Sequence, residues 1–336
     1  MATTLPAPAR FHVPRHLPRH VPRHGRLLLR AAVAAGLVGA GWWAATHGIA
    51  GVGWSAVAAA LGAVTWTWLA VLAGVWVTGL AVYSLVLAAA LPGLGVRRSL
   101  LLNLSGSAVA NVVPLGGAFA TAMNWRMVRA WGHSDTAFAA YCVLTNALDV
   151  LVKLLLPALA VTGLVALSVH VPALLWSMAA SAAALVGLAS VAAVVARRTP
   201  LRRRLRGTGE RIGQLFREGW SRMVPASLVY VAAQVVLLGC ALHAVGLHPA
   251  LAVVLTAAAV ERLGTLVPIT PGGTGFAEAG TVAWLVAAGV APGPAVAGVV
   301  LYRVFLVAME VPVGGVLLGG WLLHRRLHAA AVGAAA

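Results

Sequence analysis

Acidic side chains are almost missing from this sequence: seven Asp and Glu stand against 24 Lys and Arg in 336 residues. Charge of either sign is scarce, at 9% of residues, where soluble domains carry about 25%. That shortfall excludes a soluble globular protein. Only two cysteines occur, Cys142 and Cys240, each isolated in an apolar segment, which excludes a disulfide framework or a cysteine metal cluster. They read as small core residues. No Gly-x-x-x-x-Gly-Lys phosphate loop is present, so this chain by itself is not expected to drive transport with ATP. No His-Glu-x-x-His pair offers zinc chemistry, and nothing marks a nucleophile. The expectation is therefore no enzyme, no cofactor and no metal.

What the sequence has in abundance is apolar surface. Hydrophobic residues make up 61% of it. Runs such as Ala31 to Thr46, Trp66 to Ala90, Ala173 to Ala196 and Val224 to Val245 approach or exceed the roughly 20 residues that cross a bilayer core. The fold class is all-α: a polytopic membrane protein of about eight transmembrane helices. The net charge of +17 is concentrated, with arginines clustered before Arg30, between Arg197 and Arg222, and at Arg325 and Arg326. These clusters flank apolar spans, which fits positive-inside topology and not a nucleic-acid surface. The tryptophans and Tyr83 are read as interfacial belts at span ends.

Residues 1–26 form a basic tail in which Pro14, Pro18 and Pro22 recur every fourth position, forbidding a regular helix. An extended, disordered cytoplasmic tail is expected. Residues 27–328 form a single membrane domain, with halves 27–196 and 223–328 joined by the basic cytoplasmic segment 197–222. That segment is expected to carry an interfacial helix around Gly209 to Trp220, and it is a candidate docking surface for a partner protein. With the N-terminus inside, Leu27 to Thr46 goes out and Val64 to Ala90 returns. Arg97, Arg98, Arg126 and Arg129 then all lie inside. The segment Ser99 to Thr121 must enter and leave on one side, as a re-entrant hairpin turning near Pro114, Gly116 and Gly117. Thr136 to Leu167, Ala173 to Ala196 and Val224 to Val245 follow as spans. A long helix from about Pro294 to Leu323 brings the C-terminus inside, in the cell membrane.

Two interruptions stand out in this apolar background. Pro271-Gly272-Gly273-Thr274-Gly275 breaks the second half, and Pro114-Leu115-Gly116-Gly117 is its shorter echo in the first. Irregular backbone at membrane depth survives only where protein buries it or a watery cavity solvates it. Paired breaks in two halves of a membrane chain point to a substrate site. Leu251 to Ala288 fits either two full crossings or a re-entrant pair opening outward. In the second case the halves form an inverted repeat with Gly116 and Gly272 roughly equivalent.

Few charges lie in or beside apolar segments: Asp149, Lys153, Glu261, Arg262, Glu278, Arg303 and Glu310. Asp149 and Lys153, four apart, are expected to pair on one helix face. Glu261 and Arg262 are adjacent, diverge by about 100° on a helix, and are each expected to need a separate partner. Arg303 and Glu310 are expected to share a face of the last helix. Backbone amides freed by Gly272, Gly273, Thr274 and Gly275 would cradle an anion at a helix start. Arg303 and Arg262 would supply the fixed positive charge a lipid phosphate needs. Glu278 would hold Arg303 or meet a cationic headgroup.

The stretch ending Pro268-Ile269-Thr270-Pro271-Gly272-Gly273-Thr274-Gly275-Phe276-Ala277-Glu278, with Leu301-Tyr302-Arg303, resembles the flippase-like family. That family includes the membrane half of lysylphosphatidylglycerol synthase. Asn111 to Gly117 and Arg129 to Ser134 are similar to its first-half signature. The acidic residue and arginine that often follow the first Gly-Gly in that family are not found here between Ala118 and Asn124. The resemblance implies lipid translocation, with membrane lipids of anionic phosphate headgroup as partners. No soluble aminoacyl-transferring domain is seen, so synthase activity is not expected. A non-transporting scaffold for an envelope-lipid enzyme is the alternative.

Overall fold

The computed structural model describes residues 53–112, 116–197, 201–266 and 275–335. The expected tail and first span, residues 1–46, lie outside them, as does Pro114. Among the described residues every regular element is helical. The helices are α1 (Trp54–Gly62), α2 (Trp66–Ala90), α3 (Val96–Val112), α4 (Gly116–Ala130), α5 (Asp135–Ala166) and α6 (Ala173–Arg197). They continue with α7 (Leu201–Ala244), α8 (Leu251–Gly264), α9 (Phe276–Ala287), α10 (Pro292–Arg303) and α11 (Glu310–Ala335). A π-helical turn, Val304–Ala308, joins the last two.

Among the described residues, four stretches are long and apolar enough to cross a bilayer: Trp66–Ala90, Asp135–Ala166, Ile212–Ala244 and Pro292–Leu327. At 1.5 Å per residue even the shortest of them exceeds a hydrocarbon core of about 30 Å. The short apolar helix α1 was not foreseen; it packs against α10. Nor is there a separate interfacial helix over 209–220. Those residues are the first part of the 44-residue α7, which runs on through Pro225 into the span.

The spine is the pair α2 and α7, the most extensively packed among the described residues. Gly79 faces Tyr230 and Ala233 across it. Each half of the spine anchors its own core. Leu87 on α2 and Met223 on α7 pack with Leu102, Met127 and Leu144 from α3, α4 and α5. Leu72 and Leu238 pack with Ala257, Val282 and Val296 from α8, α9 and α10. The two short helix pairs, α3 with α4 and α8 with α9, thus occupy matching places against opposite ends of the spine.

Local chemistry sets these boundaries. Thr65 caps α2 by accepting the Trp68 amide, and Ser134 caps α5 by accepting the Ala137 amide at 3.2 Å. Gly132, at φ +89°, makes the left-handed turn between α4 and α5. Trp125 donates to Asp135 at 2.8 Å and Arg129 lies 3.4 Å from the same carboxylate, so the run Arg129 to Ser134 is a clamped turn.

Close helix approach depends on missing side chains, as it commonly does where lipid removes the hydrophobic drive between helices. A Cβ on Gly116 would collide with the backbone carbonyls of Val109 and Ala110, and one on Gly314 would collide with the Leu104 carbonyl. Gly315, beside it, has open space. Gly314→Val should therefore cost at least about 1–3 kcal/mol by overpacking. Gly315→Val should stay within about 0.5 kcal/mol of wild type. Thermal unfolding of both in detergent checks the pair, and equal melting temperatures would refute the α3–α11 contact.

Candidate functional site

The second break is flanked by α8 and α9, which pack side by side. Gly264 permits this, because a Cβ there would sit 2.9 Å from the Ala277 Cα. Glu261 and Arg262 therefore occupy the last turn of α8, directly beside the first turn of α9, where Glu278 stands. The last turn of α10 brings Tyr302 and Arg303 to the same place, and α7 contributes Gln234.

The result is one continuous polar cluster. Arg262 donates its Nε and Nη2 to both oxygens of Glu261, the second at 2.8 Å. Its Nη1 donates to Gln234 Oε1 at 2.6 Å and its Nη2 also to the Tyr302 hydroxyl at 2.8 Å. Arg303 reaches Glu261 Oε1 with Nη1 at 3.2 Å and donates its Nε to Glu278 Oε1. Glu278 Oε2 accepts the Gly275 amide at 2.6 Å, the carboxylate half of a capping box. Gly275 has φ +90°, which its lack of a side chain allows.

Each of Glu261 and Arg262 has the separate partner expected of it: Arg303 for Glu261, Gln234 and Tyr302 for Arg262. That Glu261 and Arg262 also pair with each other was not expected. Their Cα–Cβ directions do diverge, yet the two side chains are long enough to bend together. They form a fork-to-carboxylate pair, and both then turn towards α10. Arg303 and Glu310 do not share a helix face as expected, because a π-helical turn lies between them. Met309 donates to Val304 five residues back at 2.8 Å, and this extra residue in the turn shifts the register. Glu310 instead lines a narrow pocket with Trp76, Tyr230 and Gln234. Asp149 and Lys153 do pair as expected, at 2.7 Å.

Burial makes the cluster energetically serious. Glu261 is 1% exposed, Tyr302 2%, Gln234 6% and Arg262 7%. Taking such charges out of water costs several kcal/mol per ion, which only good mutual geometry offsets. Arg262 lies at a helix C-terminus and Glu278 at an N-terminus, each where the helix dipole favours its sign. Glu261 alone sits at the unfavourable end, and two arginines answer it. Two donors remain unused: Gln234 Nε2 and Arg303 Nη2 are buried with no partner among the described residues.

Of the expected site residues, Arg262, Gly275, Glu278 and Arg303 converge. Gly272, Gly273 and Thr274 lie outside the described residues. In the first half, Gly116 is buried as a packing position and Gly117 is exposed with nothing close to it. Glu261, Gln234 and Tyr302 were not among the expected site residues. Gln234 did carry a signal, as the one carboxamide in the apolar run Val224 to Val245. Tyr83 is not in an interfacial belt: it stacks on Tyr230 at 4.6 Å within the bundle.

An all-helical membrane bundle with a buried ionic cluster beside an interrupted helix pair defines a polytopic integral membrane protein. The chain belongs to the family of the lysylphosphatidylglycerol synthase transmembrane region, whose family model matches residues 27–314. That membership ties it to lipid metabolism or transport. Neither a curated protein nor a solved structure matches the chain.

Proposed function

We infer that this chain is a lipid translocase of the cell membrane, moving a phosphate-bearing headgroup past the α8–α9 break. The observation that carries this reading is Arg303. Its guanidinium is only 11% exposed, is tethered by Nε and one terminal nitrogen, and keeps the other terminal nitrogen unpartnered. A fixed, planar, half-committed donor fork suits a phosphate oxygen. Glu278 already bridges Arg303 and the helix-start amide of Gly275, as an internal anion would. A phosphate arriving there competes with that carboxylate for the same donors. The displaced Glu278 is then free to face a cation on the same headgroup. Two arginines and two glutamates sum to no net charge, so an incoming phosphate is best compensated when its own headgroup carries the cation that the displaced Glu278 faces. No bond is made or broken, so the reading is of transport and not of catalysis. Loss of headgroup movement in reconstituted vesicles on replacing Arg303 is the test.

The accompanying topology has about eight membrane-embedded helical units with both termini cytoplasmic. In it α3–α4 and α8–α9 are re-entrant hairpins rather than crossings. Their helices have 17, 15, 14 and 12 residues, or about 18–26 Å, short of the core thickness. In a chain lacking Cys142 and Cys240, a cysteine at Pro292 should react with an impermeant maleimide from outside. One at Gly273 should react from the same side. Purely cytoplasmic labelling at Gly273 would sink the outward-opening hairpin.

A further inference from the structure

A second polar site lies in the other half of the bundle. A cavity of about 340 Å³ opens between α2, α3, α4 and α5, within the range of about 300–1,000 Å³ usual for ligand sites. None of the arginine-cluster residues lines it. Its polar wall is Asn103 and Ser107 on α3, Thr121 and Asn124 on α4, and Asn146 and Asp149 on α5. No lysine, arginine or histidine is among its lining residues. The one charge, Asp149, is answered by Lys153 Nζ at 2.7 Å. Such a wall is matched neither to a phosphate nor to a free ammonium group.

Several of these groups spend donors within the protein and leave an oxygen able to accept. Thr121 spends its hydroxyl proton on the Gly117 carbonyl at 2.8 Å, and Thr145 spends its own on Tyr141 at 2.9 Å. Asn146 donates its amide to the Cys142 carbonyl at 2.7 Å, leaving its own oxygen. Asn124 Oδ1 is buried with no partner among the described residues. Gly106 makes room for that amide, since a Cβ there would lie 3.0 Å from Asn124 Nδ2. Tyr83 and Tyr141 add aromatic surface to the same wall. Thr121 and Asn146 are exposed, so the cavity is open to entry.

We propose that this cavity holds an uncharged polyhydroxyl group, a sugar or glycerol unit, of a membrane lipid headgroup. Hydroxyls both donate and accept, so they meet the carboxamide and threonine oxygens as well as the side-chain amides of the same wall, and the tyrosine rings border the carbon skeleton. The assignment rests on the lipid-handling reading above, but not on Arg303.

The experiment uses the full chain in phosphatidylcholine nanodiscs, with bound lipid read by native mass spectrometry. Monoglucosyl diacylglycerol, which has no phosphate, should be retained at least tenfold over diacylglycerol. Combining Thr121→Leu with Asn146→Leu, both at exposed positions, should erase that preference while phosphatidic acid binding is unchanged. Arg303→Ala should do the reverse, which separates failure of this site from failure of the translocase reading. Equal retention of the two neutral lipids by the wild-type chain overturns the proposal without any variant. So does a double variant that folds and keeps the preference, or an amine-bearing lipid that displaces the glycolipid. Methyl glucoside displacing the glycolipid at equal concentration would overturn the lipid source in favour of a soluble sugar.

Discussion

Arg303→Ala should reduce headgroup translocation in reconstituted vesicles by about ten- to a hundredfold, while the protein remains folded. The size follows from losing a charge-assisted hydrogen bond, about 1.5–3 kcal/mol, at roughly tenfold per 1.4 kcal/mol. Folding should survive because each carboxylate that Arg303 touches keeps another donor. Glu261 retains the fork of Arg262, and Glu278 retains the Gly275 amide. Fluorescent phospholipid accessibility to a membrane-impermeant quencher gives the rate, and unfolding in detergent gives the stability. Wild-type rates would refute the role. Arg303→Lys separates a binding site from a structural ion pair. It keeps a positive charge facing Glu261 and Glu278, which a purely structural cluster tolerates, whereas a phosphate site loses its planar donor fork from α10.

Glu261→Gln should be the most destabilising polar substitution in the cluster, at about 3–5 kcal/mol, because it leaves buried charge uncompensated. The replacement preserves volume, so the loss is electrostatic. Among the described residues Glu261 is the only carboxylate that contacts both arginines, through Oε1 to Arg262 and to Arg303. Without it Arg262 retains only the neutral Gln234 and Tyr302 oxygens. The exposed Arg129–Asp135 pair is the comparison: Arg129→Gln should cost less than about 1 kcal/mol. Melting curves of the two variants in the same detergent decide it. A Glu261→Gln protein as stable as Arg129→Gln would show that the cluster does not hold α7, α8 and α10 together.

Several parts of this arrangement were legible in the residues alone. Asp149 and Lys153 announced their pairing by spacing, because four residues on one helix leave the side chains little choice. Glu278 announced its place at a helix start through the glycine before it and the apolar run after it. Gln234 was visible as an isolated carboxamide, but its partner lies 28 residues away on another helix. Tyr302 adjoined Arg303 in sequence, yet only the crossing of α8 and α10 aims its hydroxyl at Arg262. The π turn at Val304–Ala308 left no mark in hydropathy, since a continuous apolar run looks the same with or without one extra residue in the turn.

The sequence by itself determined that this chain is an integral membrane protein of helices. Length and apolarity of the runs set that, since every backbone group in lipid must be satisfied within its own segment. It also determined where the chain is interrupted, because proline and glycine act on their own neighbours. Only the tertiary structure decided which charges meet. Ion pairing between helices depends on crossing geometry and register, set here by contacts at Gly264 with Ala277 and at Gly314 with Leu104. The pairing of Glu261 with both arginines, and the polar cavity on the opposite half, are consequences of that packing.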